Sequence, residues 1–371
     1  MIVFCHLLND RSGSPTVLRA TLEALHAPKG GILFVGSQGR GVLEEAGVPT
    51  RRYWYYRSRY RIVTLFTFLI SQLALYRALS RAHDIPAEAT VFVNTLLPFG
   101  AMLWGRRTGR LVIVHVHEVS ITPRLLRRLL TSCAARCADK LLYVSNDHHS
   151  RLPIAGPPSE IVFNPVNPKL CDIAAGVHYT PRRSGLFEVV MLASLRGYKG
   201  IEEFLTLALA LRHREDIHFT LVLNENPSAV AVLESRNPGA ENVTLHPRTD
   251  NPSAFYARAD LVLNLSRINQ WIETFGLTLV EAMTFGVPVI APSIGGPAEI
   301  VTHGQEGYCI DSRDGAALKA AVLELADNPD RAIAMSRAAH GRAIEYTFDA
   351  YARKMRQILA QAHPPQDQGI Q

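Results

Sequence analysis

The chain has 371 residues, 47% of them hydrophobic and 19% charged, which is enough for two packed domains and excludes a disordered chain. Five cysteines, with no second Cys or His pair at zinc-finger spacing, exclude a disulfide framework and a zinc module and point to reduced, structural thiols. The net charge of +6 is uneven: residues 1–180 hold 21 Lys+Arg against 11 Asp+Glu, and the remainder nets −4, so the first half is the one that should meet something anionic.

The amino terminus, MIVFCHLLND, lacks a basic lead and a small-residue cleavage site, so it reads as a buried first strand and not a signal peptide. Further apolar runs predict strands at 31–35, 90–93, 111–115, 140–144 and 161–163, then at 187–192, 218–222, 243–246, 261–264, 289–291 and 307–310. Most are rich in Val, Ile and Leu without alternation, the pattern of strands buried on both faces of a parallel sheet. Helices are expected between them, for example over 15–25, 201–213, 277–285 and 315–326. Strand, helix, strand repeated in this way predicts an α/β doubly wound fold, and the pattern runs twice. Pro165, Pro168, Gly176 and Pro181 break the periodicity between 164 and 184. The expected domains are 1–168 and 169–347, with a disordered Pro/Gln-rich tail over 363–371.

Residues 51–61 read RRYWYYRSRYR and are followed by an apolar stretch, Ile62–Leu75, that is interrupted by Thr64, Thr67, Ser71 and Gln72 and is too short and polar to span a bilayer. Arginines beside Trp and Tyr suit an anionic membrane surface, and Pro123–Leu130 reads as a second basic amphipathic helix. A solvated loop and single-stranded nucleic acid are the weaker readings of the same residues.

The most specific segment is ETFGLTLVEAMTFGVPVIAPSIGGPAE, Glu273 to Glu299. Gly276 allows a tight turn into a helix starting at Leu277, whose amino-terminal N–H groups favour phosphate. Glu281, just over one turn in, is placed to accept hydrogen bonds from vicinal hydroxyls such as those of a ribose, and Glu273 from sugar hydroxyls. Gly295 and Gly296 would let backbone N–H groups approach a ligand. Other candidates stand at strand ends: Ser12-Gly13-Ser14-Pro15, with Ser14 able to cap a helix; His115-Val116-His117-Glu118, where the two histidines form a conceivable metal pair without a third ligand; and Arg196 with Lys199-Gly200. His148 and His149 read as exposed helix residues.

Glu273-x7-Glu281, the ETFGL start, the GVPVIA strand and the GGPAE loop resemble the donor site of the retaining glycosyltransferases of family 4, which have the GT-B fold. The resemblance is most specific over 261–310. It implies two Rossmann-like doubly wound parallel-sheet domains facing a cleft, and a closing helix over 348–362 that packs back on the first domain. It implies transfer of a sugar from a nucleoside diphosphate sugar to a hydroxyl of a glycan or lipid-linked glycan, in cell-surface polysaccharide or lipopolysaccharide assembly. Lys199 and Arg196 would bind the donor diphosphate, Arg196 standing in for the family's usual arginine at the position of Ser194. Gly13, Glu273, Thr274, Phe275, Gly276, Leu277 and Glu281 would complete the donor site. Ser14 and Glu118 fall on the acceptor or sugar side, and His117 would contact the transferred sugar. No metal or other cofactor is implied, and no nucleic acid. The expected place is the cytoplasm, at the inner face of the plasma membrane through the basic first domain. A sugar-nucleotide epimerase, a glycan phosphorylase or a non-catalytic sugar-nucleotide or membrane-binding module are the alternative readings.

Overall fold

The computed structural model describes residues 1–237 and 241–362. The expected disordered tail over 363–371 lies outside the described residues. The chain divides into two units, residues 1–165 with the helix Phe348–Ala362, and residues 166–347.

In the first unit seven strands form one parallel sheet: β1 (Ile2–His6), β2 (Gly31–Gly36), β3 (Thr50–Tyr53), β4 (Thr90–Asn94), β5 (Val112–His115), β6 (Lys140–Tyr143) and β7 (Ser159–Ile161), in the order β3-β2-β1-β4-β5-β6-β7. The strand order reverses between β1 and β4, the switch point at which doubly wound sheets open a crevice beyond their carboxyl ends. Helix α1 (Gly13–Ala24) packs on one face with the helix Phe348–Ala362, where the Thr21 and Tyr351 hydroxyls meet at 2.6 Å. Helices α2 (Arg61–Ser80), α3 (Phe99–Arg107) and α4 (Arg124–Cys137) cover the other face, with α3 packed against both neighbours.

In the second unit six strands, β8 (Phe187–Ala193), β9 (Ile217–Leu223), β10 (Val243–His246), β11 (Leu261–Leu263), β12 (Val289–Ala291) and β13 (Gly307–Cys309), pair in parallel in the order β10-β9-β8-β11-β12-β13. The same reversal recurs between β8 and β11. Asp260 holds the start of this sheet, its carboxylate accepting the Glu188 and Arg182 N–H groups at 2.7 Å each.

Several expectations need correction. Strand β3 falls at the start of the basic segment, where no strand is expected; it is an edge strand, exposed except at Tyr53, and so carries no apolar run. Helix α2 is 20 residues long and is long and apolar enough to cross a membrane, unlike the 14-residue stretch expected. Its Ser71 and Gln72 are not breaks but a polar seam against α3: the Gly100 N–H donates to Gln72 Oε1 at 3.2 Å. Helix α1 starts at Gly13 with Ser12 in the capping position, so Ser14 lies inside the helix and does not cap it. The last strand of the first unit covers 159–161, two residues before its expected start. All five cysteines are unbridged.

Candidate functional site

Each unit gathers its sequence-selected residues at its own switch point. In the second unit, β8 leads into a loop that carries Arg196 and a short turn, Gly197–Lys199. From the neighbouring β11 the chain runs through Ser266 to Glu273 and then to the helix Leu277–Thr284. These two loops meet. The Lys199 ammonium forms an ion pair with Glu273 Oε1, and the Ser266 hydroxyl donates to the same oxygen at 2.7 Å. Both charged side chains are largely buried, so their attraction is screened less than a surface pair would be. Sequence reasoning gave Lys199 and Glu273 separate duties; the structure joins them.

The Arg196 side chain is exposed and forms no polar contact among the described residues, in contrast to Lys199. Beside Lys199, Tyr198 and Trp271 stack with ring centroids 5.1 Å apart, and the Lys199 ammonium lies 5.7 Å from the Tyr198 ring. Arg267 ties the two loops through its N–H to Tyr198 O at 2.8 Å and through ion pairs to Glu202 and Glu203.

Glu281 sits half-buried in the helix, where the Tyr256 hydroxyl donates to its Oε2 at 2.7 Å. Loss of water around the carboxyl raises its pKa to about 7, against a smaller downward pull from Tyr256. Gly276 takes φ +106° to enter the helix, a turn that glycine makes without strain. Leu277 is its first residue and is half-buried.

Two expectations change. The Phe275 side chain is buried against Tyr346, ring centroids 5.7 Å apart, so it is packing and only its backbone is left to meet a ligand; Thr274 stays half-buried beside it. The Gly296 N–H donates to Glu273 O at 2.9 Å, and a Cβ at Gly296 would lie 2.1 Å from Thr274 O. This glycine therefore serves the close approach of its loop to the 273–275 loop, which fixes Glu273.

In the first unit the switch point is built from an amide and imidazoles, with one carboxyl, that of Glu118, turned onto backbone N–H groups. Asn94, at the end of β4, is fully buried and holds three neighbours. Its amide nitrogen donates to Ser14 O at 3.1 Å and lies 3.1 Å from His6 Nδ1; its Oδ1 lies 3.1 Å from His117 Nε2. With the amide nitrogen committed to Ser14, Oδ1 is the acceptor, so His117 Nε2 carries the proton and Nδ1 keeps the lone pair. The His115 and His117 rings lie 4.2 Å apart, and neither His115 nitrogen has a hydrogen-bond partner among the described residues. Desolvation, and then the neighbouring His115, His148 and His6, push the His117 pKa well below its ordinary value, so its imidazole is neutral.

Glu118 is half-buried and turned onto the backbone. Its two oxygens accept the Leu96 N–H at 3.0 and 3.1 Å, and one also accepts the His117 N–H at 3.2 Å, while burial raises its pKa. It shapes the loop that carries His117. His148 is buried and not exposed: the helix Asn146–Arg151, capped by Ser145, turns it inward, and its Nε2 bonds Glu118 O at 2.7 Å. His149 is half-buried beside Tyr143. Gly13 has open space around it at the start of α1. No group of three or more His, Cys, Asp or Glu able to hold a metal occurs among the described residues.

Sequence reasoning missed Asn94, Ser266, Tyr256 and the Tyr198–Trp271 pair. Asn94 closes β4 and Ser266 follows β11, the one signal that could have marked them, whereas Tyr256 ends a short helix and Trp271 lies in the long loop after β11.

Residues 180–342 match the family described as Glycosyl transferases group 1, which bears out the glycosyltransferase part of the resemblance read from Glu273–Glu299. The GDP-mannose-dependent alpha-(1-6)-phosphatidylinositol monomannoside mannosyltransferase of Mycobacterium tuberculosis is 28% identical over 305 residues, 76% of this chain and 78% of that one. The D-inositol 3-phosphate glycosyltransferase of Thermobispora bispora is 33% identical over 138 residues, 37% of this chain and 31% of that one. Sucrose synthase 2 of Zea mays is 51% identical over 55 residues, 15% of this chain and 7% of that one. The chain thus spans less than a third of the length of these last two relatives. Among solved structures, Anabaena Alr3699/HepE in complex with UDP and glucose superposes with a TM-score of 0.76 at 19% identity, covering 97% of this chain and 99% of that one. Sucrose-phosphate synthase from Thermosynechococcus elongatus gives 0.73 at 19% identity, with 97% and 99% covered. The fold is that of the GT-B glycosyltransferases, two Rossmann-like parallel-sheet units.

Proposed function

We propose that the chain is a retaining glycosyltransferase of family 4 that moves a sugar from a nucleoside diphosphate sugar to a hydroxyl of a glycan or lipid-linked glycan. The observation that carries this is the Lys199–Glu273–Ser266 cluster at the switch point of the matched unit, with Glu281 held by Tyr256 in the helix that follows. The UDP and glucose in the Anabaena structure and the GDP-mannose dependence of the mycobacterial relative support the donor class.

In this reading Lys199 turns from Glu273 to the donor diphosphate, and Arg196 adds a second cation. Fixed cations stabilise the charge that grows on the leaving nucleoside diphosphate. Glu273, released from the ion pair, accepts sugar hydroxyls, and Glu281 accepts the ribose hydroxyls. The bond from the anomeric carbon to the phosphate oxygen breaks as the acceptor oxygen bonds to the same face of that carbon. The acceptor proton goes to the departing phosphate oxygen, so no protein nucleophile is required. Neutral His117 contributes a hydrogen bond to the transferred sugar. The lysine and arginine supply the positive charge, so the reaction needs no metal.

The basic first unit supports contact with an anionic membrane surface, which would carry a lipid-linked acceptor. We place the protein in the cytoplasm, at the inner face of the plasma membrane, in cell-surface polysaccharide or lipopolysaccharide biosynthesis. The test is a panel of UDP-, GDP- and dTDP-sugars scored for slow donor hydrolysis and for thermal protection, with and without EDTA. One donor should be hydrolysed equally in both conditions, with its product sugar first released in the donor's anomeric form. No protection and no hydrolysis by any donor would overturn the reading, and loss of turnover in EDTA would overturn its metal-free form.

A further inference from the structure

Helix α2 is apolar on both sides, yet only one side is covered. Phe68, Ser71, Gln72, Leu75 and Leu79 face the first unit's core. The opposite stripe, Ile62, Phe66, Leu69, Ile70 and Leu73, recurs at helical spacing and is exposed, with Ile62 at 73%, Phe66 at 64% and Ile70 at 55%. Trp54, Tyr56 and Tyr60, in the chain leading from β3 to α2, are also about half exposed. Between Trp54 and α2 runs an open groove of about 330 Å³, lined by Trp54, Ile70, Leu73 and Ala74 and flanked by Arg77 and Arg81.

The charge around this face has one sign. Residues 51–81 contain seven arginines and no Asp or Glu. Arg51 is paired with Asp84 and Arg52 with Glu44. Arg57, Arg59, Arg61, Arg77 and Arg81 have no carboxylate partner among the described residues. Exposed aliphatic side chains, edged by Trp and Tyr and ringed by unpaired arginines, match an anionic bilayer interface. A spanning helix would have to give up the packing of Gln72 and Gly100 that fastens α2 to α3.

We infer that the outer face of α2 and the Trp54–Tyr60 segment lie in the surface layer of an anionic bilayer, and that the groove seats one lipid chain with its phosphate between Arg77 and Arg81. This rests on the membrane reading above and names the surface that carries it. The partner is the lipid surface and not a second copy of this chain.

The test uses the full chain and two kinds of vesicle, phosphatidylcholine alone and phosphatidylcholine mixed with phosphatidylglycerol. The protein should sediment with the mixed vesicles and not with the neutral ones. Phe66→Glu/Ile70→Glu should lower the bound fraction at least about tenfold, while donor hydrolysis in solution stays at the parent rate, which also shows that the variant folds. Brominated lipid should quench the parent's tryptophan emission and leave Trp54→Phe unquenched. Binding that survives Phe66→Glu/Ile70→Glu, or leaves Trp54 unquenched, would overturn this inference and leave the membrane reading standing. Absence of binding to mixed vesicles would overturn both, and retained donor hydrolysis would then keep the transferase reading. A parent dimer that Phe66→Glu/Ile70→Glu makes monomeric, with no change in vesicle binding, would assign the face to self-association and overturn the inference.

Discussion

The two switch points share a strand order and differ in electrostatics. In the second unit the strand ends carry a cation, two carboxylates and the hydroxyls that hold them: Lys199, Glu273, Ser266, Glu281 and Tyr256. In the first unit the corresponding strand ends carry Asn94 and the neutral imidazoles of His6, His115 and His117. The difference teaches what each was built to meet. The paired charges of Lys199 and Glu273 can re-pair with an anionic ligand at little desolvation cost. Buried neutral rings offer directional hydrogen bonds and shape.

Removing the cation should break the comparison most sharply. Lys199→Ala is expected to lower kcat/KM for the donor by about 10²–10³-fold, the scale of losing one fixed charge that meets developing negative charge. It also strands Glu273, so Glu273→Gln should recover part of any lost stability in the double variant, measured by denaturant unfolding. Equal activity in Lys199→Ala and the parent would remove the electrostatic distinction altogether.

In the first unit, Asn94→Ala should cost about tenfold in turnover, and about 1–3 kcal/mol of stability because His117 Nε2 and Ser14 O lose their partner. His117→Ala should lower turnover comparably. Since the His117 pKa is held well below 6.5, the parent should show no imidazole inflection in its pH–rate profile between pH 6 and 8. An inflection there that disappears in His117→Gln would mean the ring is charged in the working enzyme.

Glu281 sharpens the contrast through pH. Its folded pKa of about 7 lies above its ordinary 4.5, so the folded chain binds more protons in that window. Stability from this group is present below about pH 4.5, falls as pH rises through the window, and stays lost above pH 7. Glu281→Gln should therefore be more stable than the parent at pH 8, by about 1–3 kcal/mol, with the gap closing toward pH 5. Because ribose hydroxyls favour the ionised carboxylate, donor affinity of the parent should rise from pH 6 to pH 8, and calorimetry should detect proton release on binding. Affinity independent of pH would separate Glu281 from the donor.

The smallest effect is expected at Arg196, whose exposed guanidinium has no partner among the described residues to lose. Arg196→Ala should leave the thermal midpoint unchanged and raise KM for the donor severalfold. A loss as large as that of Lys199→Ala would make Arg196 the principal diphosphate ligand.

The second unit's site was the more legible in sequence, and the reason is chain distance. Glu273, Gly276, Glu281 and Gly296 lie within one strand-helix-strand stretch, so their spacing is visible along the sequence. The first unit's site is assembled from the ends of β1, β4 and β5 and from the helix Asn146–Arg151, which only the sheet order brings together. A lone Asn94 after a Val-rich strand leaves no periodic mark, and His148 reads as polar until the fold turns it inward. The buried strands were legible through their apolar runs. Strand β3 was not, because an edge strand beside solvent is free to be arginine-rich.

The helix Phe348–Ala362 has a consequence for how the molecule is made. Its Tyr351, Ala352, Met355 and Ile358 belong to the core that contains Val17, Leu18 and Leu22, more than three hundred residues earlier in the chain. During synthesis the sheet β1–β7 emerges first and must wait, with that core uncovered, until residues 166–347 have followed. The second unit is one continuous segment and needs no later residue to close its own core. On the ribosome the later-made unit can thus reach its native state before the earlier-made one, reversing the usual amino-to-carboxyl order of domain folding.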